Sequence, residues 1–245
     1  MVKYICVFII TIATSCASVY QPKKAIYYDY RVNRAFAADS GILTMLTTYS
    51  DSINKTMNLV IAQATETLEK KQPNGSLGLI LVDAMRQTAT AKYGVNVDAA
   101  FVNNGGIRIP TVSKGNITVG KVYEIMPFDN LIIIQNIKGN IFNDFIQLMA
   151  KRGGWPSSGI TYTLAKGKAT NIMVGDKPLD MDKTYVIANS DYIANGGDDA
   201  DMLRPLPQQN NNILMREAFL EYFKNRNAKG EKISPPEDSD RVKSL

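Results

Sequence analysis

Histidine is missing from all 245 residues. That excludes every Ser-His or Cys-His catalytic unit and every His-ligated metal site. Any catalysis by this chain alone needs another kind of base. Cysteine is nearly missing: Cys6 and Cys16 are the only two, and both lie near the amino end. A disulfide framework for the body of the chain is thereby excluded. There is little charge imbalance, with 28 basic against 23 acidic side chains and both signs interspersed. Such a small excess is no footprint for nucleic acid. Long hydrophobic runs are lacking too. The longest at the amino end, Ile5 to Ala13, falls short of the roughly 20 residues a membrane-spanning helix needs. What remains is ordinary: 45% hydrophobic and 21% charged residues describe a globular chain of one large or two small domains.

The amino end reads as an address. Lys3 supplies a positive start, Ile5 to Ala13 an apolar stretch, and Ala13-Thr14-Ser15 small residues that a signal peptidase accepts. A signal peptide is expected over residues 1–15. Ala13-Thr14-Ser15-Cys16 also resembles a bacterial lipobox, with Cys16 as the lipidated residue; a plain secretory signal is the alternative. Cleavage before Cys16 leaves a single cysteine at the very start, and a thioether-linked lipid gives it a use. The expectation is an exported protein, anchored to a bacterial membrane on its periplasmic or cell-surface side through a lipid on Cys16. Residues 16–39 then read as a polar tether.

Downstream, apolar spacing marks the elements. Ile42, Met45, Leu46, Tyr49 and Ile53 predict a helix after an Asp39-Ser40 cap. Leu59 to Ala62 predicts a short strand. Leu77, Leu81, Ala84 and Met85 predict a second helix, opened by the break at Pro73-Asn74-Gly75-Ser76. Ala99 to Val102 and Leu131 to Ile137 predict buried strands. Phe142, Phe145, Ile146 and Met149 line one face of a further helix. Strands are predicted over Ile160 to Leu164, Asn171 to Val174 and Thr184 to Ala188, and a last helix from about Ile213 to Phe223. Helices and strands alternate irregularly and strands cluster in pairs. That favours an α+β fold, a mixed β-sheet packed with helices, over a doubly wound sheet. One domain is expected over residues 40–225, followed by a polar, poorly packed tail over 226–245.

Three loops stand out. Asn103-Asn104-Gly105-Gly106-Ile107-Arg108 follows a strand. Its glycines allow a tight turn with N–H groups aimed at a ligand, and Arg108 offers a planar fork suited to phosphate. Pro127-Phe128-Asp129-Asn130 places an aromatic ring in a loop, either as a stacking platform or as a core residue at a strand entrance. Asp191-Tyr192-Ile193-Ala194-Asn195-Gly196-Gly197-Asp198 sets a second ring before a Gly-Gly turn that ends in a carboxylate. Asp198, Asp199 and Asp201 lack the alternating ligand pattern of a calcium loop. Together the loops suit a nucleotide: two rings for the base, a carboxylate for vicinal ribose hydroxyls, and an arginine with a glycine loop for phosphate.

Asn-Asn-Gly-Gly-Ile-Arg at 103–108, Met-Pro-Phe-Asp-Asn at 126–130 and Ala-Asn-Gly-Gly-Asp at 194–198 resemble, in order and spacing, three signatures of the 5′-nucleotidase C-terminal domain. Further likeness runs through residues 77–86, 153–160 and 175–180. The resemblance implies that Phe128 and Tyr192 clamp the base and that Asp198 binds the ribose. It implies that Asn103 and Arg108 contact the nucleotide, Arg108 nearest the phosphate, with Gly105, Gly106, Gly196 and Gly197 shaping the loops. These are binding residues; no catalytic residue is expected in this chain. Family members also carry an N-terminal metallophosphoesterase domain with two metal ions. No counterpart is found in this sequence, so no cofactor is expected in this chain and divalent metals only in a partner metallophosphoesterase. Departures are Tyr192 where the family usually has Phe, Asn104 for Gly, Ser76 for a phosphate-binding Arg of some members, Leu79 for Asn, and Asp199-Ala200 for a Gly-aromatic pair.

The function this implies is the substrate-binding half of a split 5′-nucleotidase. Its ligand is a nucleotide or nucleoside, and it is inactive alone. The alternatives are a membrane-tethered nucleotide-binding lipoprotein with no enzymatic role, and a domain that retains only the fold.

Overall fold

The computed structural model describes residues 24–29 and 37–244. The expected signal peptide, Cys16 and much of the expected tether lie outside the described residues. The chain divides into two compact units, Met1–Leu46 and Thr47–Leu245. In the first, residues 24–29 form neither helix nor strand, and helix α1 (Ser40–Met57) begins. Asp39 caps it: the carboxylate accepts from the Ile42 N–H at 2.9 Å. The apolar residues that predicted α1 are exposed along its length.

The second unit carries everything else. In chain order it holds β1 (Val60–Ala64), β2 (Leu68–Glu69), α2 (Ser76–Tyr93), β3 (Ala99–Phe101), β4 (Thr111–Val112) and β5 (Gly115–Thr118). Then come α3 (Val119–Ile125), β6 (Leu131–Lys138), α4 (Gly139–Lys151), β7 (Ser157–Ser158), β8 (Ile160–Ala165) and β9 (Lys168–Val174). The last are β10 (Lys177–Pro178), β11 (Thr184–Ser190), α5 (Asp191–Ala194), β12 (Gln209–Leu214), α6 (Met215–Ala228) and β13 (Val242–Ser244).

The centre is a mixed five-stranded sheet, β12-β6-β11-β3-β7. A second, four-stranded sheet runs β10-β9-β8-β13. Period-two alternation divides the central side chains between two cores. Ala100, Val102, Ile132, Ile134 and Ala188 point toward α2, α3 and α6. Ala99, Phe101, Ile137, Tyr185 and Ile187 point toward α4, whose predicted face of Phe142, Phe145, Ile146 and Met149 is fully buried. Burial on both faces is why β6 reads as an almost unbroken apolar run. The expected α+β architecture is the one observed.

One topological fact places the site. β11 runs parallel to β3, so both end at the same edge of the sheet. β6 runs antiparallel to β11, with Ile132 opposite Ser190, so β6 begins where β11 ends. The loops after β3, before β6 and after β11 therefore emerge side by side.

Two expectations need correction. The last helix begins at Met215, because Ile213 belongs to edge strand β12. The region over 226–245 is not a loose tail. Ile233 is buried and bridges Ala64, β13 pairs in parallel with β8, and Arg241 is only 5% exposed. Arg241 donates to both oxygens of Asp83 at 2.7 Å each and to the Ser157 carbonyl at 2.9 Å. These long-range partners were invisible in a locally polar stretch.

Candidate functional site

The first loop leaves β3 at Asn103 and turns through a single 3-10 turn, Asn104–Gly106. A Cβ at Gly106 would stand 2.8 Å from the Asn103 Oδ1, so a larger residue would displace the side chain that holds Asp198. Arg108 is held by its N–H donating to the Ile125 carbonyl at 2.9 Å. Its guanidinium carbon lies 5.5 Å from the centre of the Phe128 ring. Lys70 adds a second cation, with Nζ donating to the Ile107 carbonyl at 2.7 Å. Partial burial and the neighbouring Arg108 hold its pKa below that of an ordinary lysine. Residue type and position gave no signal for Lys70.

The second loop joins α3 to β6 and presents Phe128. Arg216, on α6 and 8% exposed, braces it from below. The guanidinium donates to the carbonyls of Phe128 (3.1 Å) and Met126 (3.4 Å), pairs with Asp129, and stacks 4.3 Å from the Tyr123 ring centre. The Leu131 N–H donates to Asp191 Oδ1 at 3.1 Å, tying this loop to the third.

The third loop leaves β11 through the short helix α5. Ser190 caps it, its hydroxyl accepting from the Ile193 N–H at 3.2 Å. Gly196 sits at φ +90°, a left-handed turn that suits glycine. Gly197 is required by proximity: a Cβ would lie 2.5 Å from Cε1 of the Tyr192 ring. Asp199 pairs with Arg152 and Asp201 with Arg204. Asp198 instead meets neutral donors, accepting from Asn103 Nδ2 at 2.7 Å and from the Tyr192 hydroxyl at 3.3 Å.

All three loops close on one cavity of about 250 Å³. Asn103, Gly105, Gly106, Arg108, Phe128, Tyr192 and Asp198 line it, and Asn130 joins them. Gly196 and Gly197 stand outside the lining and shape the turn that carries Asp198. The two rings are 39% and 47% exposed, so Phe128 is not the core residue that its position also allowed. Asn130, inside the second motif, was not singled out by the sequence. Larger hollows exist, of about 620 Å³ between α2 and α6 and about 860 Å³ beside α4 and β9. Neither joins two aromatic walls to convergent polar groups as this one does.

The cavity's donor set does not suit a pair of divalent cations. It has one carboxylate, and the Arg108 guanidinium opens on the same hollow. Among the described residues, no group of three or more His, Cys, Asp or Glu side chains is placed to hold a metal ion. What the arrangement offers is two aromatic rings, one carboxylate acceptor and one guanidinium, with Lys70 outside the lining.

Comparisons with known proteins bear on the family and the fold. The chain is 26% identical to a 5′-nucleotidase of Vibrio vulnificus over 221 residues, 84% of this chain and 39% of that one. It is 28% identical to a 5′-nucleotidase of Vibrio cholerae, over 72% of this chain and 33% of that one. It thus spans between a third and two fifths of these relatives. Among solved structures, a 5′-nucleotidase precursor from Thermus thermophilus superposes with a TM-score of 0.72 at 26% identity, covering 83% of this chain and 43% of that one. The NAD nucleotidase of Haemophilus influenzae, at 16% identity and TM-score 0.63, shares the fold. The model of the 5′-nucleotidase C-terminal domain matches residues 53–205, and the chain belongs to that family.

Proposed function

We propose that this chain is the nucleotide-binding half of a split 5′-nucleotidase. The observation that carries the reading is the convergence of Arg108, Phe128, Tyr192 and Asp198 on one cavity from three separate loops. Phe128 and Tyr192 hold the base between them, each stack contributing about 1–3 kcal/mol. Asp198 accepts from the ribose hydroxyls. Arg108, supported by Lys70, orients the phosphate, and a charged hydrogen bond of this kind contributes about 1.5–3 kcal/mol.

The chemistry belongs to a separate metallophosphoesterase chain, which supplies divalent metals for phosphate-ester hydrolysis. This chain's residues bind the nucleotide, exclude water from the base and present the phosphate. With no histidine, and with a single carboxylate held by neutral donors, the cavity has no base positioned to activate water. The signal-like amino end and Cys16 support export and lipid anchoring, which keeps the pair at a membrane surface.

The test is reconstitution. Purified chain is mixed with a metallophosphoesterase chain from the same genome that lacks its own substrate-binding half, and AMP hydrolysis is followed. A rate well above that of the partner alone is expected. No gain sinks the split-enzyme reading. Calorimetry on this chain alone separates the receptor alternative, which keeps AMP binding without forming a complex.

A further inference from the structure

The Tyr192 hydroxyl does more than decorate a stacking ring. It lies 3.3 Å from Asp198 Oδ1, to which it donates, and 3.3 Å from the Asp198 N–H, from which it accepts. On the other side, Asn103 Nδ2 donates to Asp198 Oδ2 at 2.7 Å. Each carboxylate oxygen therefore has its own neutral donor, and the donors come from different loops. Asp198 sits in the left-handed region at φ 53°, so the surrounding contacts hold it there. The terminal torsion of an aspartate is otherwise broad. Two donors on two oxygens fix the carboxylate plane. Neither donor neutralises the charge, and among the described residues Asp198 has no ion pair, unlike Asp199 and Asp201.

A fixed, unneutralised carboxylate with one lone pair left on each oxygen suits two adjacent hydroxyl donors. We propose that Tyr192 is a specificity-determining residue: its hydroxyl, with the Asn103 amide, locks Asp198 in the orientation that reads both ribose hydroxyls, so the site selects ribonucleotides over deoxyribonucleotides. The proposal rests on the nucleotide-site reading above. A ligand lacking one hydroxyl leaves the second lone pair of one carboxylate oxygen unmet once the ligand has displaced water, which is how sites built to bind a hydroxyl reject the analogue without it. Tyr192→Phe keeps the ring and its seat against Gly197 but frees one side of the carboxylate.

The test is calorimetry on the full chain with AMP, 2′-deoxy-AMP and 3′-deoxy-AMP, which share base and phosphate. The native chain is expected to prefer AMP at least tenfold over either deoxy ligand. Tyr192→Phe is expected to lower that ratio about fivefold, a modest step because 3.3 Å is long for a hydroxyl–carboxylate bond. Asn103→Ala should lower it as well, and thermal melts check that both variants fold. An unchanged ratio in Tyr192→Phe, or a native chain that binds the three ligands equally, overturns the proposal while leaving the nucleotide site standing. A native chain that binds none of them overturns both.

Discussion

The Arg216 guanidinium donates to the Phe128 carbonyl oxygen at 3.1 Å, so a buried cation on α6 holds the backbone of a residue whose ring lines the cavity. The same group reaches the Met126 carbonyl and Asp129. Arg216→Ala strands two carbonyls and opens a hole under the loop. It is expected to cost about 1–3 kcal/mol of stability, mostly from the lost carbonyl partners. Asp129 contributes little, since its side chain is 79% exposed and such pairs are weak. Thermal unfolding and AMP titration check this. Arg216→Ala should lose both stability and affinity, whereas Asp129→Asn should lose little stability.

Phe128→Ala and Tyr192→Ala separate binding from folding. Both rings are partly exposed and neither belongs to a core cluster. Each truncation is expected to weaken AMP binding by about 1–3 kcal/mol, roughly 5- to 150-fold in Kd. The melting temperature should move by only a few degrees. If both variants bind AMP as the native chain does, the cavity is not a base site.

The sequence made the central sheet and the three loops readable for a physical reason. β6 is buried on both faces, which forces an apolar run, and α4 is buried on one, which forces a helical stripe. Phe128, Tyr192 and the Gly-Gly turns stand out only jointly: each alone suits a core ring or a plain turn, but their order and spacing match the three signatures at 103–108, 126–130 and 194–198. What failed to show was long-range pairing. Arg216 sits 88 residues from Phe128, and Arg241 sits 158 residues from Asp83. β12 and β13 are edge strands with polar sequences, Gln-Asn-Asn-Asn-Ile-Leu and Val-Lys-Ser, whose pairing is set by their neighbours rather than by their own pattern.

The carboxyl-terminal region is a structural clasp. Arg241 is held by Asp83 of α2, by Asp238 and by the Ser157 carbonyl; burial alone would lower its pKa, but the two carboxylates outweigh burial and leave it above that of an ordinary arginine. Arg241→Ala removes one partner of a largely buried pair and is expected to cost about 2–4 kcal/mol. Deletion of residues 231–245 also removes Ile233 and Val242 from the two cores, so its cost should be larger. Urea unfolding of the two variants gives the order. A deletion that unfolds at the native urea concentration would falsify the clasp.

Alkaline unfolding isolates one more buried group. The Tyr162 side chain is 3% exposed in the second core, and its hydroxyl has no hydrogen-bond partner among the described residues. Burial pushes its pKa from 10.0 up to about 12. For a phenol, a raised folded pKa means the native state keeps its proton where the unfolded chain begins to lose it. The stability involved is fully present below about pH 10 and drains away as the pH climbs toward 12. Two units amount to about 3 kcal/mol at most. Tyr162→Phe removes the titrating hydroxyl and an unsatisfied polar atom together. The variant is therefore expected to be at least as stable at pH 8 and to lose less stability between pH 10 and 12. Urea midpoints measured across that range decide it, with lysine titration common to both proteins and cancelling in the difference. Parallel curves for the two proteins would mean that Tyr162 ionises in the native core as readily as in the open chain.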